Sequence, residues 1–129
     1  MDRSKDWLRQ AERDLEGALV TSQAALHEHA CFMSQQAGEK ALKALCQAEK
    51  VAVRGSSLVH IHDELCVFRK LPSGIRDAAK ALDRHYIQPR YPNGFAAGAP
   101  ADYYGKAEAE QAIGHAREII AFCKQSISG

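Results

Sequence analysis

The stretch from Leu82 to Pro92 concentrates side chains that can hold an anion or stack against a ring. It carries Asp83, Arg84, His85, Tyr86, Arg90 and Tyr91. An amphipathic helical pattern runs into it, and a loop rich in proline and glycine follows. Arginine supplies a fork of hydrogen-bond donors and tyrosine a flat face, so the stretch suits phosphate and base contacts. The alternative, a plain helix end with solvated charges and Tyr86 in the core, stays open.

A second polar cluster falls on a predicted helix, where Gln36 and Lys40 lie one turn apart and Glu39 and Lys43 do the same. Such pairs ordinarily decorate a solvated face and contribute tenths of a kcal/mol each. We favour that interpretation for the set Gln35, Gln36, Glu39, Lys40 and Lys43. The alternative is a polar wall that faces a groove or a second subunit.

The histidines form two pairs with one residue between them, His27 with His29 and His60 with His62. On a helix, residues two apart point away from each other, so neither pair is expected to share a metal ion. The chain has no G-x-S-x-G and no glycine-rich phosphate loop with its lysine. We therefore predict no catalytic residue, no metal site and no cofactor.

Hydrophobic periodicity predicts helices and no sheet. The apolar positions of the fourth helix are Ile75, Ala78, Ala79, Leu82 and Tyr86, and Phe68 should point inward from the third. These patterns predict an all-α up-and-down bundle in a single domain over residues 1–129. The predicted helices span about 4–26, 29–50, 60–69, 75–86 and 105–127, with a long loop over 88–104.

Composition limits the function classes. The 129 residues are 46% hydrophobic, which suits one domain with a sizeable core, and the net charge of +1 gives no overall signature of a nucleic-acid binder. The four cysteines are far apart, and we predict buried free thiols at Cys31, Cys46, Cys66 and Cys123. No apolar run resembles a signal peptide or a membrane span, so the expected location is cytoplasmic.

Three segments resemble the HEPN family, the higher eukaryotes and prokaryotes nucleotide-binding domain. The family's elements W-L-x-x-A, Q-Q-A-x-E-K-A-x-K-A and L-D-x-x-Y-I-x-x-R-Y-P stand in order at Trp7–Ala11, Gln35–Ala44 and Leu82–Pro92. His62-Asp63-Glu64-Leu65 looks like its mid-chain histidine element. The resemblance covers essentially the whole chain.

The resemblance implies a bundle of about five helices, usually a homodimer, that binds a nucleotide or RNA. It also implies a minimal nucleotidyltransferase as partner, in a toxin-antitoxin-like or regulatory module. A large branch of the family are metal-independent ribonucleases marked by R-x(4-6)-H near the last helices. This chain departs from that branch, since the first histidine after Arg90 is His115. Arg54 and His60 have the spacing but precede the third helix.

The resulting hypothesis gives Arg90 the phosphate contact, with stacking or a hydroxyl donor from Tyr91 or Tyr86. Two alternatives remain. One is a ribonuclease toxin that uses Arg and His across a dimer interface. The other is an interaction module in which Arg90 forms a buried pair with Asp83 or Glu39. In the leading hypothesis Asp83 orients Arg90 or Arg84, and the weaker candidates are Lys40, Lys43 and His62.

Overall fold

The computed structural model describes residues 1–128 and contains five α-helices and no β-strand within them. Two short 3₁₀ turns, Pro92–Gly94 and Pro100–Asp102, interrupt the long loop before the last helix. The predicted all-α bundle is therefore confirmed. The helices are α1 (Ser4–Gln23), α2 (His27–Glu49), α3 (Leu58–Cys66), α4 (Ser73–Asp83) and α5 (Lys106–Ser128).

Helix α2 is the central element and packs against the other four helices. Its buried face is largely alanine, which presents little side-chain volume and lets neighbouring helices approach closely. Gly38 marks the closest approach, because a Cβ there would lie 2.8 Å from side-chain atoms of both Leu58 and Leu82. The Q-Q-A-x-E-K-A segment thus has a packing role where α3 and α4 meet α2.

Two helix boundaries differ from the predicted ones because of local turns. Helix α1 ends at Gln23, and Ala25 adopts a left-handed φ of 62°, so Leu26 lies outside the helix and is exposed. Helix α3 begins at Leu58, because the Ser57 side chain accepts a hydrogen bond from the His60 backbone N–H. It ends at Cys66.

The early end of α3 also corrects the predicted burial of two residues. Phe68 lies in the turn after the helix and is 63% exposed, so the prediction that it points inward was wrong. Cys66 is exposed as well, whereas Cys31, Cys46 and Cys123 are buried. Burial raises the pKa of Cys46 to about 11 and that of Cys31 and Cys123 to about 12.

The end of α4 positions the candidate site. The helix stops at Asp83, and residues 84–90 continue as a run of turns instead of a further helical turn through Tyr86. Backbone hydrogen bonds from His85 to Leu82 and from Arg90 to Ile87 hold these turns. This path carries Tyr86 and Arg90 back over α2. No helix within residues 1–128 has both the length and the apolar character to cross a membrane.

Candidate functional site

The guanidinium of Arg90 lies among three aromatic rings. Its central carbon is 4.4 Å from the ring centroid of Phe32, 4.8 Å from that of Tyr86 and 5.3 Å from that of Tyr91. Its Nε donates a hydrogen bond to the Tyr86 carbonyl oxygen at 2.7 Å. Aromatic faces attract a cation, and a planar guanidinium can also stack on them. Helix α2 and the turns after α4 therefore fix the Arg90 side chain from several sides.

The charge of Arg90 is held in place without being neutralised. Across residues 1–128 no carboxylate forms an ion pair with it, and its terminal amino groups donate to no protein acceptor. Arg90 is half-buried, and Tyr91 beside it is 49% exposed. An oriented arginine with free N–H groups next to an accessible ring can accept a phosphate and a base.

Asp83 lies in the same motif but is engaged elsewhere. Its Oδ1 accepts from the Leu58 backbone N–H at 2.7 Å, and its Oδ2 accepts from the Val59 N–H and the Ser57 hydroxyl at 3.1 Å. The carboxylate therefore caps the N-terminus of α3 from outside that helix. The expected contact from Asp83 to Arg90 or Arg84 is not formed, because these donors occupy the carboxylate.

The buried pair of Arg90 with Asp83 or Glu39, which was the alternative hypothesis, is not formed either. Glu39 is 7% exposed and binds Lys43 at 2.9 Å. Gln35 is fully buried and donates to Glu39 at 3.3 Å and to the Ser56 carbonyl at 3.2 Å. The expected one-turn pairs exist, but the expectation that this set lies on a solvated face was wrong. It is a largely buried network on α2.

The two candidate lysines on α2 are each paired with a carboxylate. Lys40 binds Asp14 of α1 at 2.6 Å, and Lys43 binds Glu39. Lys43 also lies 5.8 Å from the ring centroid of Trp7. Lys43 is eleven residues from Phe32, which corresponds to roughly 16 Å along a helix. Lys43 is thus remote from Arg90.

His62 and Arg84 also lie apart from Arg90. His62 is buried on α3 with its Nδ1 2.9 Å from Asp63, whose other partner is Arg76. The hydrogen bonds from Arg76 and then from His62 lower the pKa of Asp63 to about 2. Arg84 is exposed, and no side-chain partner of it occurs in the part of the chain that the structure describes.

The aromatic residue nearest to Arg90 was missed as a functional residue, and a half-buried histidine that precedes Tyr86 was given no role. The sequence analysis gave Phe32 no functional role, yet its ring is the nearest of the three to Arg90. His85 packs edge-on against Tyr104 at 5.7 Å, and its buried Nδ1 has no hydrogen-bond partner. Burial is the main cause that lowers the pKa of His85, and the nearby charges of Arg84 and His115 lower it further. Its position directly before Tyr86 was the available signal, whereas nothing local links Phe32 to residue 90.

The sequence model of the HEPN domain family matches residues 4–126, and the chain belongs to this family. The solved structure of TT1696 from Thermus thermophilus is 38% identical, with a TM-score of 0.93 and coverage of 97% of this chain and 98% of that one. ST0689, described as an archaeal HEPN homologue, is 38% identical with a TM-score of 0.83, covering 98% and 99%. These neighbours share the five-helix fold described above.

A more distant relative comes from Methanocaldococcus jannaschii and carries the name "Putative toxin MJ1304". It is 24% identical over 130 aligned positions, which cover 94% of this chain and 86% of the relative. The family assignment rests on the domain model and on the two structures.

Proposed function

We propose that this HEPN protein binds a nucleotide or RNA through a phosphate contact at Arg90. The supporting observation is the aromatic setting of that arginine, which fixes its position while leaving its terminal donors and its charge free. A partly buried cation without a counter-ion attracts an anion more strongly than an exposed one, because water screens it less. A phosphate oxygen pair matches the arginine fork.

Tyr91 supplies the stacking surface in this proposal. Its ring is half exposed and lies 5.3 Å from the guanidinium, so a base on Tyr91 places its phosphate near Arg90. Tyr86 contributes its carbonyl and its ring to Arg90 and acts mainly by positioning it. Lys40, Lys43 and His62 are given no direct role, because each already has a protein partner.

The assembly we propose is a symmetric homodimer that works with a nucleotidyltransferase in a toxin-antitoxin-like or regulatory module. Closed two-fold pairs are the commonest homo-oligomers. The family assignment and the name of the Methanocaldococcus relative support this proposal. Light scattering at micromolar concentration tests the dimer, and a monomer mass would refute it. A nucleotidyltransferase reading frame beside the gene would support the partner.

The phosphate contact is tested by Arg90→Ala in a binding titration with a short single-stranded RNA and with a nucleoside triphosphate. Losing a charge-assisted hydrogen bond costs about 1.5–3 kcal/mol, so affinity should fall tenfold or more. Arg117→Ala is the matched control, because Arg117 is an exposed arginine on α5. Equal affinities for the two variants would refute the contact.

Ribonuclease activity is the second candidate, supported by the R-x(5)-H spacing of Arg54 and His60. We expect no metal-independent cleavage, because the motif around Arg90 has no histidine at the required spacing to serve as acid or base. Incubation of purified protein with RNA and a chelator tests this. Turnover that is lost in Arg54→Ala or His60→Ala would establish the ribonuclease instead.

A further inference from the structure

Cys66 is accessible to reagents in solution, whereas the other three cysteines are not. It is the last residue of α3 and is exposed. Cys31, Cys46 and Cys123 are buried, and burial raises the pKa of their thiols to about 12, about 11 and about 12. Because a thiol reacts as its thiolate, these buried thiols are inert at neutral pH. Thiol chemistry within residues 1–128 therefore belongs to Cys66.

Cys66 lies against the imidazole of His62, one helical turn earlier on α3. The Cys66 Sγ is 3.7 Å from Nε2 and 3.8 Å from Nδ1 of His62. The side chain of His62 is 6% exposed, and within residues 1–128 its Nε2 has no nitrogen or oxygen partner. A buried imidazole thus stands beside an exposed thiol, with one ring nitrogen that no other protein group uses.

Asp63 determines which nitrogen of His62 carries the hydrogen. Its Oδ1 lies 2.9 Å from the His62 Nδ1. The hydrogen bonds from Arg76 and then from His62 lower the pKa of Asp63 to about 2, so this carboxylate is ionised at neutral pH. Because an ionised carboxylate only accepts hydrogen bonds, Nδ1 is the donor and Nε2 of the neutral imidazole keeps its lone pair. The lone pair of Nε2 can therefore accept the thiol proton.

Arg76 brings a positive charge from α4 to the same place. Its Nε donates to Oδ1 of Asp63 at 3.1 Å, and its Nη2 donates to Oδ2 at 3.3 Å. The pKa of Arg76 is raised, mainly by Asp63, and a Cys66 thiolate contributes to the rise through its charge. The guanidinium therefore attracts that thiolate. A nucleophile, a base, a carboxylate that orients the base and a cation thus meet where α3 and α4 adjoin.

The surroundings of Cys66 favour a small uncharged oxidant and a product that persists. Val67 and Phe68, which follow Cys66, are 75% and 63% exposed and offer no charge to a substrate. Since the other thiols are buried, no second cysteine of the same chain can condense with an oxidised Cys66. The expected product is therefore a sulfenic acid instead of an internal disulfide.

We propose that Cys66 is a site of oxidation by hydroperoxides and that His62 promotes the reaction. Nε2 of His62 accepts the thiol proton, and the thiolate sulfur attacks one oxygen of the peroxide. An S–O bond forms as the O–O bond breaks, and the departing hydroxide or alkoxide takes the proton from His62 and leaves as water or an alcohol. The sulfur gives two electrons to the peroxide and becomes a sulfenic acid. The proposal does not depend on the Arg90 site.

The reaction is measured with hydrogen peroxide in the presence of dimedone, which traps sulfenic acids, and mass spectrometry locates the adduct. A free thiol is only a few per cent thiolate at pH 7, so Cys66 should react about tenfold faster than N-acetylcysteine. Cys66→Ser should carry no adduct. A rate equal to that of N-acetylcysteine would overturn the proposal, as would an adduct on a buried cysteine in place of Cys66.

His62→Gln separates promotion by the imidazole from simple exposure of the thiol. Its rate at pH 7 should fall about tenfold, and near pH 10 it should match the native rate, because the thiol then ionises without a base. A purely structural role of His62 would change the rate by the same factor at both pH values and would overturn the proposal. His60→Gln, at an exposed histidine of α3, is the control and should react at the native rate.

Asp63→Asn keeps the proposal testable if His62→Gln does not fold. The Asp63 side chain is half exposed, and the substitution leaves His62 in place. Loss of the carboxylate charge makes Nε2 a weaker base, so the rate at pH 7 should fall severalfold while the melting temperature stays close to native. Asp77→Asn, at an exposed aspartate of α4, is the control. A native rate in Asp63→Asn would remove His62 from the reaction and overturn the proposal.

Discussion

Asp83 and Arg90 stand seven residues apart in one motif, yet the structure uses them in opposite ways. Asp83 accepts three hydrogen bonds from the start of α3, so its charge is fully engaged within the fold. Arg90 donates one hydrogen bond to a backbone carbonyl, and its charge meets only aromatic rings. Similar sequence context therefore does not imply a similar role.

This difference separates stability from binding within the motif. A carboxylate that accepts hydrogen bonds from backbone donors at a helix N-terminus stabilises the native state, and its charge is engaged within the fold instead of being available to a ligand. A guanidinium packed against rings gains a modest amount from cation–π contacts and keeps its strong donors for an anion. Substitution of Asp83 should thus lower the melting temperature, whereas substitution of Arg90 should lower the affinity for the ligand.

The largest effect on stability is expected for Asp83→Ala. Removing the cap leaves two backbone N–H groups of α3 without their acceptor, which should lower the free energy of unfolding by about 2–3 kcal/mol. For a chain of this length the melting temperature should fall by roughly 5–10 °C. Calorimetry measures both. Asp77→Ala is the control, because Asp77 is an exposed aspartate on α4. Equal melting temperatures would show that the cap contributes little.

A smaller and pH-dependent effect is expected at His85, which lies between the two residues compared. Its pKa is lowered from 6.5, first by burial and then by Arg84 and His115, with Glu108 acting in the opposite direction. The unfolded chain thus takes up a proton at higher pH than the folded chain does. Stability from this group is complete above pH 6.5 and is lost as the pH falls below it.

In His85→Gln the melting temperature should change little between about pH 7 and pH 5. Over the same range the melting temperature of the native protein should fall by a few degrees. His29→Gln, at an exposed histidine, should keep the native slope. Asp63 does not interfere, because its pKa is lowered from 3.8 to about 2 and it acts only below that range. Identical slopes for His85→Gln and the native protein would refute the assignment.

The fold was predictable from the sequence because each long helix repeats its apolar residues with helical spacing. The burial of Gln35 and Glu39 was not, because local spacing shows that two side chains share a face but not what packs on that face. The prediction that Arg90 contacts a phosphate came from its residue type and its neighbours in the sequence. The contact of Arg90 with Phe32 joins residues that are 58 positions apart in the sequence. It depends on the residue at which α4 ends, and sequence signals do not determine helix ends to the residue.

The smallest effect on stability is expected for Tyr91→Ala, whose ring is half exposed. It removes one cation–π contact, so the free energy of unfolding should change by less than about 1 kcal/mol. Stacking of a base on this ring should contribute about 1–3 kcal/mol to RNA binding, which the variant loses. Phe95→Ala, at another aromatic residue of the same loop, should leave RNA affinity unchanged. Equal affinity in both variants would remove Tyr91 from the site.

The most direct measurement of the central claim is the salt dependence of RNA binding for native protein and Arg90→Ala. Each phosphate contact to a single strand contributes about −0.7 to the slope of log affinity against log salt. We expect the Arg90→Ala slope to be shallower by about that amount, with a melting temperature close to native. An unchanged slope together with a large fall in melting temperature would show that Arg90 is a structural clamp and binds no phosphate.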